Sequence, residues 1–479
     1  MRRYDLVVLG GGTAGLVSSL IAAAARARVA LVEADRLGGD CLWTGCVPSK
    51  SLIAAADLAQ RIRAGERLGI GGEPAVDFAA VMGHVRGAQD AIAPHDSSDR
   101  LRRDGVEVVE ATGRFLSPGR LEAAGRVLSH RAAIIATGSR PAMPPIDGLD
   151  RAQALTSDTV WELRELPPRL AVLGGGPVGC ELAQAFARLG GDVTVVEAGE
   201  RLLPLEEPRA SALVEERLRG EGVRVLTGAE ATSVRDQNGG AGALELADGD
   251  DVPYDRLLVA TGRRPTTDGI GLAALGVPTG ERGAIPVDRW LRTATRGVFA
   301  AGDVTGELPF THVAAYHART ATPNALFHTR REISYGAVPW VTFTDPEVAR
   351  VGLSEAQARE RWGERVRIAE FDYARSDRAI TANRAYGFVK LVGDRRGRLV
   401  GATVAAPAAG ESIAEITAWI AQGERIDRLS TTVHAYPTFA EGAARAGDDY
   451  LRARYATPLA RRAGHWALAL LRVLERPPR

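Results

Sequence analysis

The chain has 479 residues, of which 45% are hydrophobic and 25% charged, values that exclude a disordered, collagen-like or multi-span membrane protein. Its 60 basic residues nearly balance 59 acidic ones, so no overall field attracts it to nucleic acid or to an anionic membrane, and we expect small-molecule partners. Three cysteines are too few for a secreted disulfide framework, which favours a cytoplasmic location.

The first residues of the chain allow two interpretations. Met1-Arg2-Arg3 before an apolar stretch has the composition of a secretory or twin-arginine signal. The glycines at 10, 11, 12 and 15 interrupt that stretch and favour a phosphate-binding turn instead.

One segment occurs twice, at 7–34 and again at 171–198, an offset of 164 residues without a gap. Each copy reads as strand, glycine turn, helix and second strand, the order of a dinucleotide-binding unit. The glycine spacing predicts a tight turn, close backbone approach to a pyrophosphate and tight packing of helix on strand. The glycines are Gly10, Gly12 and Gly15 in the first copy and Gly174, Gly176 and Gly179 in the second.

An acidic residue ends each repeat, Glu33 in the first copy and Glu197 in the second. Both are placed to accept hydrogen bonds from a ribose hydroxyl. Because a carboxylate at Glu197 would repel the extra phosphate of NADP, we expect NADH, although the nearby Arg201 leaves NADPH open.

Three further apolar strands run into glycine turns. Two of these turns read Ala-Thr-Gly, at Thr137-Gly138 and at Thr261-Gly262. The third ends in Gly302-Asp303, where the aspartate is either a ligand for a ribose or ribityl hydroxyl or a helix cap.

Two of the three cysteines, Cys41 and Cys46, lie in one short segment with Lys50. On a single helix they would be about one and a half turns apart, so a disulfide would need local distortion and would be reducible. No nearby CxxC or histidine pair completes a zinc site, so we predict no metal, and buried structural thiols are the alternative. Lys50 is one of two lysines against 58 arginines, which favours a role for its compact charge over a plain surface position.

The segment GGDCLWTGCVPSK, with the doubled nucleotide folds and the Ala-Thr-Gly and Ala-Gly-Asp turns, resembles the class I pyridine nucleotide-disulfide oxidoreductases. This family includes lipoamide dehydrogenase, glutathione reductase and mercuric reductase, and the resemblance runs from about residue 4 to about residue 455. It implies an α/β fold with two Rossmann-like dinucleotide-binding domains and a C-terminal α+β dimerisation domain. The implied parts are an FAD-binding domain at 1–149 and 271–333, an NAD(P)-binding domain at 150–270 and an interface domain at 334–455.

The resemblance also implies roles for individual residues. Cys46 would be the thiol beside the flavin, and Cys41 the outer thiol that exchanges with substrate. Lys50 would lie near the flavin N5 with Glu181 as its carboxylate partner, and Asp303 would bind the FAD ribityl chain. The implied cofactors are FAD and NADH, and the implied assembly is a homodimer.

The chain departs from the family near its C-terminus. Lipoamide dehydrogenase and glutathione reductase carry a His-Pro-Thr segment followed by Glu, whose histidine is the acid/base for the thiols. Here Tyr436 stands at the histidine position and Glu441 at the glutamate position, where we expect them to orient the acceptor. A phenol is protonated at neutral pH and is a poor base. His434 is nearby, but on an extended segment it would point to the other face.

Tyrosine at this position is similar to mercuric reductase, which also uses a cysteine pair near its C-terminus. This chain has no cysteine after Cys180, itself expected to be a small core residue. We therefore expect a flavoenzyme that passes electrons from NADH through flavin and the Cys41-Cys46 disulfide to a small acceptor, which is a disulfide, a thiophilic metal ion or a related compound. The alternatives are dihydrolipoamide dehydrogenase, a direct flavin-to-quinone or metal reductase, and a non-enzymatic flavoprotein.

Residues 456–479 form a basic tail with leucines at helical spacing. We expect an amphipathic helix that packs on the dimer, with contact to a membrane surface as the alternative.

Overall fold

The computed structural model describes residues 3–237 and 240–475. They form two compact units. Unit 1 comprises the described residues up to Leu203 together with Leu218–Ser334, and unit 2 comprises Pro204–Arg217 and the chain from Tyr335 onward. Both glycine repeats fall in unit 1, whereas residues 204–217, inside the range expected for the NAD(P)-binding domain, belong to unit 2.

The strands of the described residues follow in chain order: β1 (Tyr4–Leu9), β2 (Val29–Glu33), β3 (Val106–Glu110), β4 (Gly113–Ser117), β5 (Arg120–Ala123), β6 (Arg126–Ile135), β7 (Ser139–Pro141), β8 (Leu155–Thr156), β9 (Arg169–Leu173), β10 (Asp192–Glu197), β11 (Arg224–Thr227), β12 (Ala231–Gln237), β13 (Ala241–Leu246), β14 (Asp251–Tyr254), β15 (Arg256–Val259), β16 (Arg263–Pro265), β17 (Val298–Ala300), β18 (Pro339–Thr342), β19 (Glu347–Gly352), β20 (Arg367–Asp372), β21 (Phe388–Gly393) and β22 (Leu399–Ala406). The α-helices are α1 (Thr13–Ala24), α2 (Gly39–Trp43), α3 (Cys46–Ala64), α4 (Phe78–Ile92), α5 (Ser98–Arg103), α6 (Pro177–Arg188), α7 (Pro208–Gly220), α8 (Leu272–Leu275), α9 (Thr311–Phe327), α10 (Glu355–Trp362), α11 (Asp377–Thr381), α12 (Ala409–Gln422), α13 (Ile426–Thr431), α14 (Gly442–Tyr455) and α15 (Pro458–Leu474).

The first sheet of unit 1 is built around β1, which pairs in parallel with β2 and β6. Its strand order is β3-β2-β1-β6-β5-β4, and β17 also pairs with β6. Side chains of β1 alternate between two buried clusters, with Leu6 and Val8 in one and Val7 and Leu9 in the other. A strand covered on both faces needs an unbroken apolar run, which is what the sequence provides. The start of the chain is therefore a core strand from Tyr4 onward, while Met1 and Arg2 of the considered signal lie outside the described residues.

The second sheet of unit 1 repeats this arrangement, with strand order β11-β10-β9-β15-β8. Strand β9, helix α6 and strand β10 correspond to β1, α1 and β2 at the offset seen in the sequence. Gly10 and Gly174 have φ of 106° and 112°, in the left-handed region that favours glycine. A Cβ on Gly15 would lie 1.8 Å from the Gly10 carbonyl oxygen, and one on Gly179 would lie 1.9 Å from that of Gly174. The last glycine of each motif thus lets the helix pack against the turn, as the spacing predicts.

Unit 2 contains an antiparallel sheet of order β18-β19-β22-β21-β20. Apolar residues of its strands and of α12, α13 and α14 form one buried cluster. Helix α15 follows α14 and contributes no buried residue. The last four residues of the expected tail, 476–479, lie outside the described residues.

Among the described residues, no helix combines the length and the apolar character needed to cross a membrane.

Candidate active site

The two cysteines of the redox segment lie on consecutive helices and not on one. Cys41 is in α2 and Cys46 is the first residue of α3, separated by the turn at Thr44 and Gly45. A Cβ on Gly45 would lie 2.9 Å from the Asp40 carbonyl oxygen, so glycine allows the turn to fold back on α2. The helix break therefore brings the cysteines together, which the single-helix spacing did not predict.

Both cysteines are free thiols, and they differ strongly in acidity. A hydrogen bond from Cys41 lowers the pKa of Cys46 to about 6, with further help from Thr311 and from the charge of Lys50 against the opposing effect of burial. The same hydrogen bond, followed by burial, raises the pKa of Cys41. At neutral pH Cys46 is thus a thiolate that accepts a hydrogen bond from the Cys41 thiol. The start of a helix also favours a thiolate, because the unpaired N–H groups there carry partial positive charge.

Thr311 is a site residue that the sequence analysis missed. Its Oγ1 lies 3.2 Å from the Cys46 Sγ, and it is the first residue of α9. Position 311 is 265 residues from Cys46 and carries no motif of its own, so only the fold reveals the contact.

Lys50 and Glu181 meet as the resemblance implies. The Lys50 Nζ lies 2.8 Å from the Glu181 Oε2. Glu181 is buried in α6, whereas the lysine side chain on α3 is 37% exposed. The pair links the cysteine helix to the helix of the second glycine repeat.

The carboxylates of the two repeats are held alike. Glu33 accepts hydrogen bonds from the backbone N–H groups of Gly11 and Asp35 at 2.5 and 2.8 Å. Glu197 accepts from those of Gly175 and Gly199 at 2.6 and 2.7 Å. Each carboxylate oxygen retains a second lone pair, so both groups can accept further hydrogen bonds.

The turns around these carboxylates leave room for a cofactor. Cβ atoms placed on Gly138, Gly176 or Gly262 would meet no atom within 4 Å, whereas at Gly12 the nearest atom would be 3.9 Å away. The Thr137 hydroxyl donates to the Thr266 carbonyl at 2.6 Å and so fixes the Ala-Thr-Gly turn beside Gly138. Open glycine turns and an oriented carboxylate in each repeat fit one dinucleotide each.

Asp303 belongs to a polar chain that reaches the cysteine helix. Its Oδ2 accepts a hydrogen bond from the Ser139 hydroxyl at 2.7 Å, and that hydroxyl also accepts from Arg263 at 2.8 Å. Arg263 in turn forms an ion pair with Asp40, next to Cys41. Burial raises the pKa of Asp40, although Arg263 opposes this. Asp40 lies inside the GGDCLWTGCVPSK segment and Arg263 directly follows the second Ala-Thr-Gly turn, but neither was predicted from the sequence as a site residue.

The C-terminal residues are partnered differently from the family pattern. The Tyr436 hydroxyl donates to Asp377 Oδ2 at 2.6 Å, whereas Glu441 is buried and lies 3.6 Å from the Arg445 Nε. His434, expected on the other face, lies with its Nε2 2.9 Å from both Glu415 carboxylate oxygens. The histidine near this segment, His434, therefore pairs with Glu415 of α12.

Cys180 is buried in α6, and its Sγ donates to the Gly175 carbonyl at 3.3 Å. Burial raises its pKa, so it stays a neutral thiol.

Comparison with known proteins decides the family. The profile of the pyridine nucleotide-disulphide oxidoreductases matches residues 4–318, and the profile of their dimerisation domain matches residues 338–446. The chain is a class I pyridine nucleotide-disulfide oxidoreductase. This confirms the expected fold class, the enzyme class and the reaction class, which is NAD(P)H-dependent, disulfide-linked electron transfer in a flavoprotein. The family depends on FAD and a pyridine nucleotide.

The proteins of this family that are similar to the chain are named as different enzymes. The chain is 42% identical over 449 residues to a mercuric reductase of Streptomyces lividans, covering 91% of this chain and 94% of the relative. It is 35% identical over 455 residues to a dihydrolipoyl dehydrogenase of Thermus scotoductus, covering 94% and 97%. The HOCl-induced flavoprotein disulfide reductase RclA of Escherichia coli, solved as a Cu(II) complex, superimposes with a TM-score of 0.84 at 26% identity, covering 94% and 99%.

Proposed function

We propose that this oxidoreductase uses NADH to reduce a thiophilic metal ion, with the Cys41-Cys46 pair as the last electron carrier. The observation that carries the proposal is the asymmetric thiol pair, in which Cys46 has a pKa of about 6 and Cys41 stays protonated. Paired sulfur ligands favour soft ions such as Cu(I). The name of the 42% identical relative and the Cu(II) complex of the structural neighbour support the same class of acceptor.

Residues of the first repeat would hold FAD, with Glu33 on its ribose and Asp303 on its ribityl chain. Residues of the second repeat would hold NADH, with Glu197 on the adenosine ribose, where its negative charge disfavours a phosphate. FAD, when bound, supplies two-electron transfer between the nicotinamide and the cysteine pair. Lys50, fixed by Glu181, would place positive charge near the flavin and stabilise the Cys46 thiolate.

In the last step the cysteine pair transfers two electrons to the metal ion. Oxidation of the Cys41 thiol and the Cys46 thiolate forms one S–S bond and releases one proton and two electrons. Two electrons reduce one Hg(II) to Hg(0), or two Cu(II) to two Cu(I). NADH then returns two electrons to the disulfide and becomes NAD⁺.

We propose a homodimer in the cytoplasm. The dimerisation domain at 338–446 supports a homodimer. Free thiols that must return to the dithiol state in each turnover favour the reducing cytoplasm.

A second candidate function is the oxidation of dihydrolipoamide. It is favoured by the His434–Glu415 pair, because a histidine held by a glutamate is the acid/base arrangement of that reaction. Several relatives named dihydrolipoyl dehydrogenase support it. Against it, Tyr436 occupies the position that carries the histidine in lipoamide dehydrogenase.

The discriminating experiment follows NADH consumption by the purified holoenzyme with Cu(II), Hg(II), lipoamide, glutathione disulfide and a soluble quinone, comparing wild type with Cys41→Ser. We expect metal-dependent turnover that collapses in the variant. Turnover on metal or quinone that survives the substitution would make flavin the direct donor. Lipoamide turnover above metal turnover would favour the dehydrogenase.

A further inference from the structure

Helix α15 is an amphipathic helix that contributes no residue to the buried core. It begins at Pro458 after Thr457, whose hydroxyl caps it by accepting the Ala460 N–H at 3.3 Å. A capping threonine followed by proline at the first helical position is a strong start signal. The helix is therefore specified by its own sequence although it buries none of its residues.

Most large apolar side chains of α15 share one face. At 3.6 residues per turn these span about 160° of its circumference, far wider than a narrow coiled-coil seam. They remain exposed, with Leu459 at 81% and Trp466 at 74%. The other large apolar residues of this face are Leu470, Leu471, Val473 and Leu474. The exception is Leu468, which is 54% exposed and lies beside Arg461 on the other face.

The opposite face of α15 is cationic. It carries Arg461, Arg462, His465 and Arg472, and no aspartate or glutamate occurs between residues 458 and 474. Trp466 lies at the border between the two faces. A wide apolar face, an arginine face without acids and a bordering tryptophan are typical of helices that lie in the headgroup region of an anionic bilayer.

We propose that α15 docks the enzyme flat on an anionic lipid surface, with its apolar face in the acyl boundary and its arginines on the lipid phosphates. Charge complementarity favours lipid over a second copy of the chain, since the arginine face would need acidic partners that α15 lacks. The dimerisation profile also ends at residue 446, twelve positions before the helix begins. The docking is independent of the electron acceptor proposed above.

The test is flotation of the full-length holoenzyme with vesicles of phosphatidylcholine alone or of phosphatidylcholine mixed equally with phosphatidylglycerol. We expect binding to the anionic vesicles, weakened about tenfold or more at about 1 M salt, where charges are screened within about 3 Å. Wild-type protein that stays soluble with the anionic vesicles overturns the proposal.

Two matched substitutions at adjacent positions test the two faces of α15 separately, because each adds one negative charge to one face. Leu470→Glu, on the apolar face, is expected to reduce vesicle binding about tenfold or more. Ala469→Glu, on the arginine face, is expected to reduce it only modestly. Equal vesicle binding by both variants overturns the proposal. The proposal also fails if wild-type protein does not bind vesicles and Leu470→Glu shifts from dimer to monomer in sedimentation. In that case a second copy of the chain covers the apolar face. NADH turnover, unchanged in both variants, controls for folding.

Discussion

The Tyr436 hydroxyl donates its hydrogen to Asp377 at 2.6 Å, so the tyrosine that the resemblance places at the family's histidine position is held as a donor. The hydrogen bond to this carboxylate and its negative charge raise the pKa of Tyr436 above its ordinary value of 10.0. A phenol that titrates above 10 does not take a proton from a thiol at neutral pH. The side chain is 62% exposed and accessible to substitution.

Replacing Tyr436 by histidine is therefore expected to introduce a base where the family carries one. Tyr436→His should raise NAD⁺ reduction by dihydrolipoamide by about 10²-fold, the lower range for general base catalysis. Tyr436→Phe, which loses the hydroxyl and gains no base, should show no rise. A rise in both variants would mean that the hydroxyl only blocks access, and no rise in Tyr436→His would place the acid/base function elsewhere, with His434 the first candidate.

The hydrogen bond from Thr311 predicts how Cys46 responds to pH. Hydrogen bonds to a charged group contribute about 1.5–3 kcal/mol, so Thr311→Val should raise the pKa of Cys46 by about one unit or more. Because only the thiolate is alkylated, the iodoacetamide reaction of the reduced enzyme should be half-maximal near pH 6 in wild type and at higher pH in the variant.

Thr311→Ser keeps the hydroxyl and should retain the wild-type profile. Cys46→Ser should remove the low-pH phase altogether, since burial still opposes ionisation of Cys41 and Cys180 is buried. An unchanged profile in Thr311→Val would show that Cys41 and Lys50 set the acidity of Cys46 without the threonine.

The second lysine of the chain, Lys390, stabilises unit 2. Its Nζ lies 3.1, 2.7 and 3.0 Å from carboxylate oxygens of Glu207, Glu355 and Glu370. Lys390→Met would leave the buried Glu207 and the partly exposed Glu355 and Glu370 without their common cation. We expect the free energy of unfolding to fall by about 3–5 kcal/mol, measured by urea denaturation at neutral pH.

The matched control is Arg359→Met, which removes a more exposed cation 2.8 Å from the same Glu355 and should cost about 1 kcal/mol or less. Burial raises the pKa of Glu355, but hydrogen bonds from Lys390 and Arg359 outweigh it and lower the pKa below 4.5. A carboxylate whose pKa is lower in the folded than in the unfolded state stabilises the fold at pH values above its unfolded pKa. This stabilisation is lost as the pH falls through the folded pKa. The difference between wild type and Lys390→Met should thus shrink below about pH 4.5, and a constant difference would contradict the ion-pair account.

The sequence predicted the parts of this protein that depend on interactions between residues close together in the chain. Strand, glycine turn and helix in each repeat are fixed by apolar runs and by glycines with no room for a Cβ, so α1 and α6 begin and end at equivalent residues. A local distortion between Cys41 and Cys46 was expected for a disulfide, but the spacing alone does not show that α2 ends at Trp43 and that α3 begins after Gly45. Contacts such as Cys46–Thr311 and Tyr436–Asp377 join distant segments, and neither Thr311 nor Asp377 belongs to a motif.

The equivalent glycines of the two repeats provide a test of which repeat holds which cofactor. An added methyl group at Gly15 or Gly179 would overlap a backbone oxygen 1.8 or 1.9 Å away, so the helix must move from its turn. Gly15→Ala should lose flavin absorbance on purification, whereas Gly179→Ala should retain flavin and show a KM for NADH raised about tenfold or more. Gly87→Ala in α4, where a Cβ meets nothing within 4 Å, is the control and should change neither property. Loss of flavin from Gly179→Ala with retention in Gly15→Ala would reverse the two assignments, because each substitution disturbs the pyrophosphate turn of its own repeat.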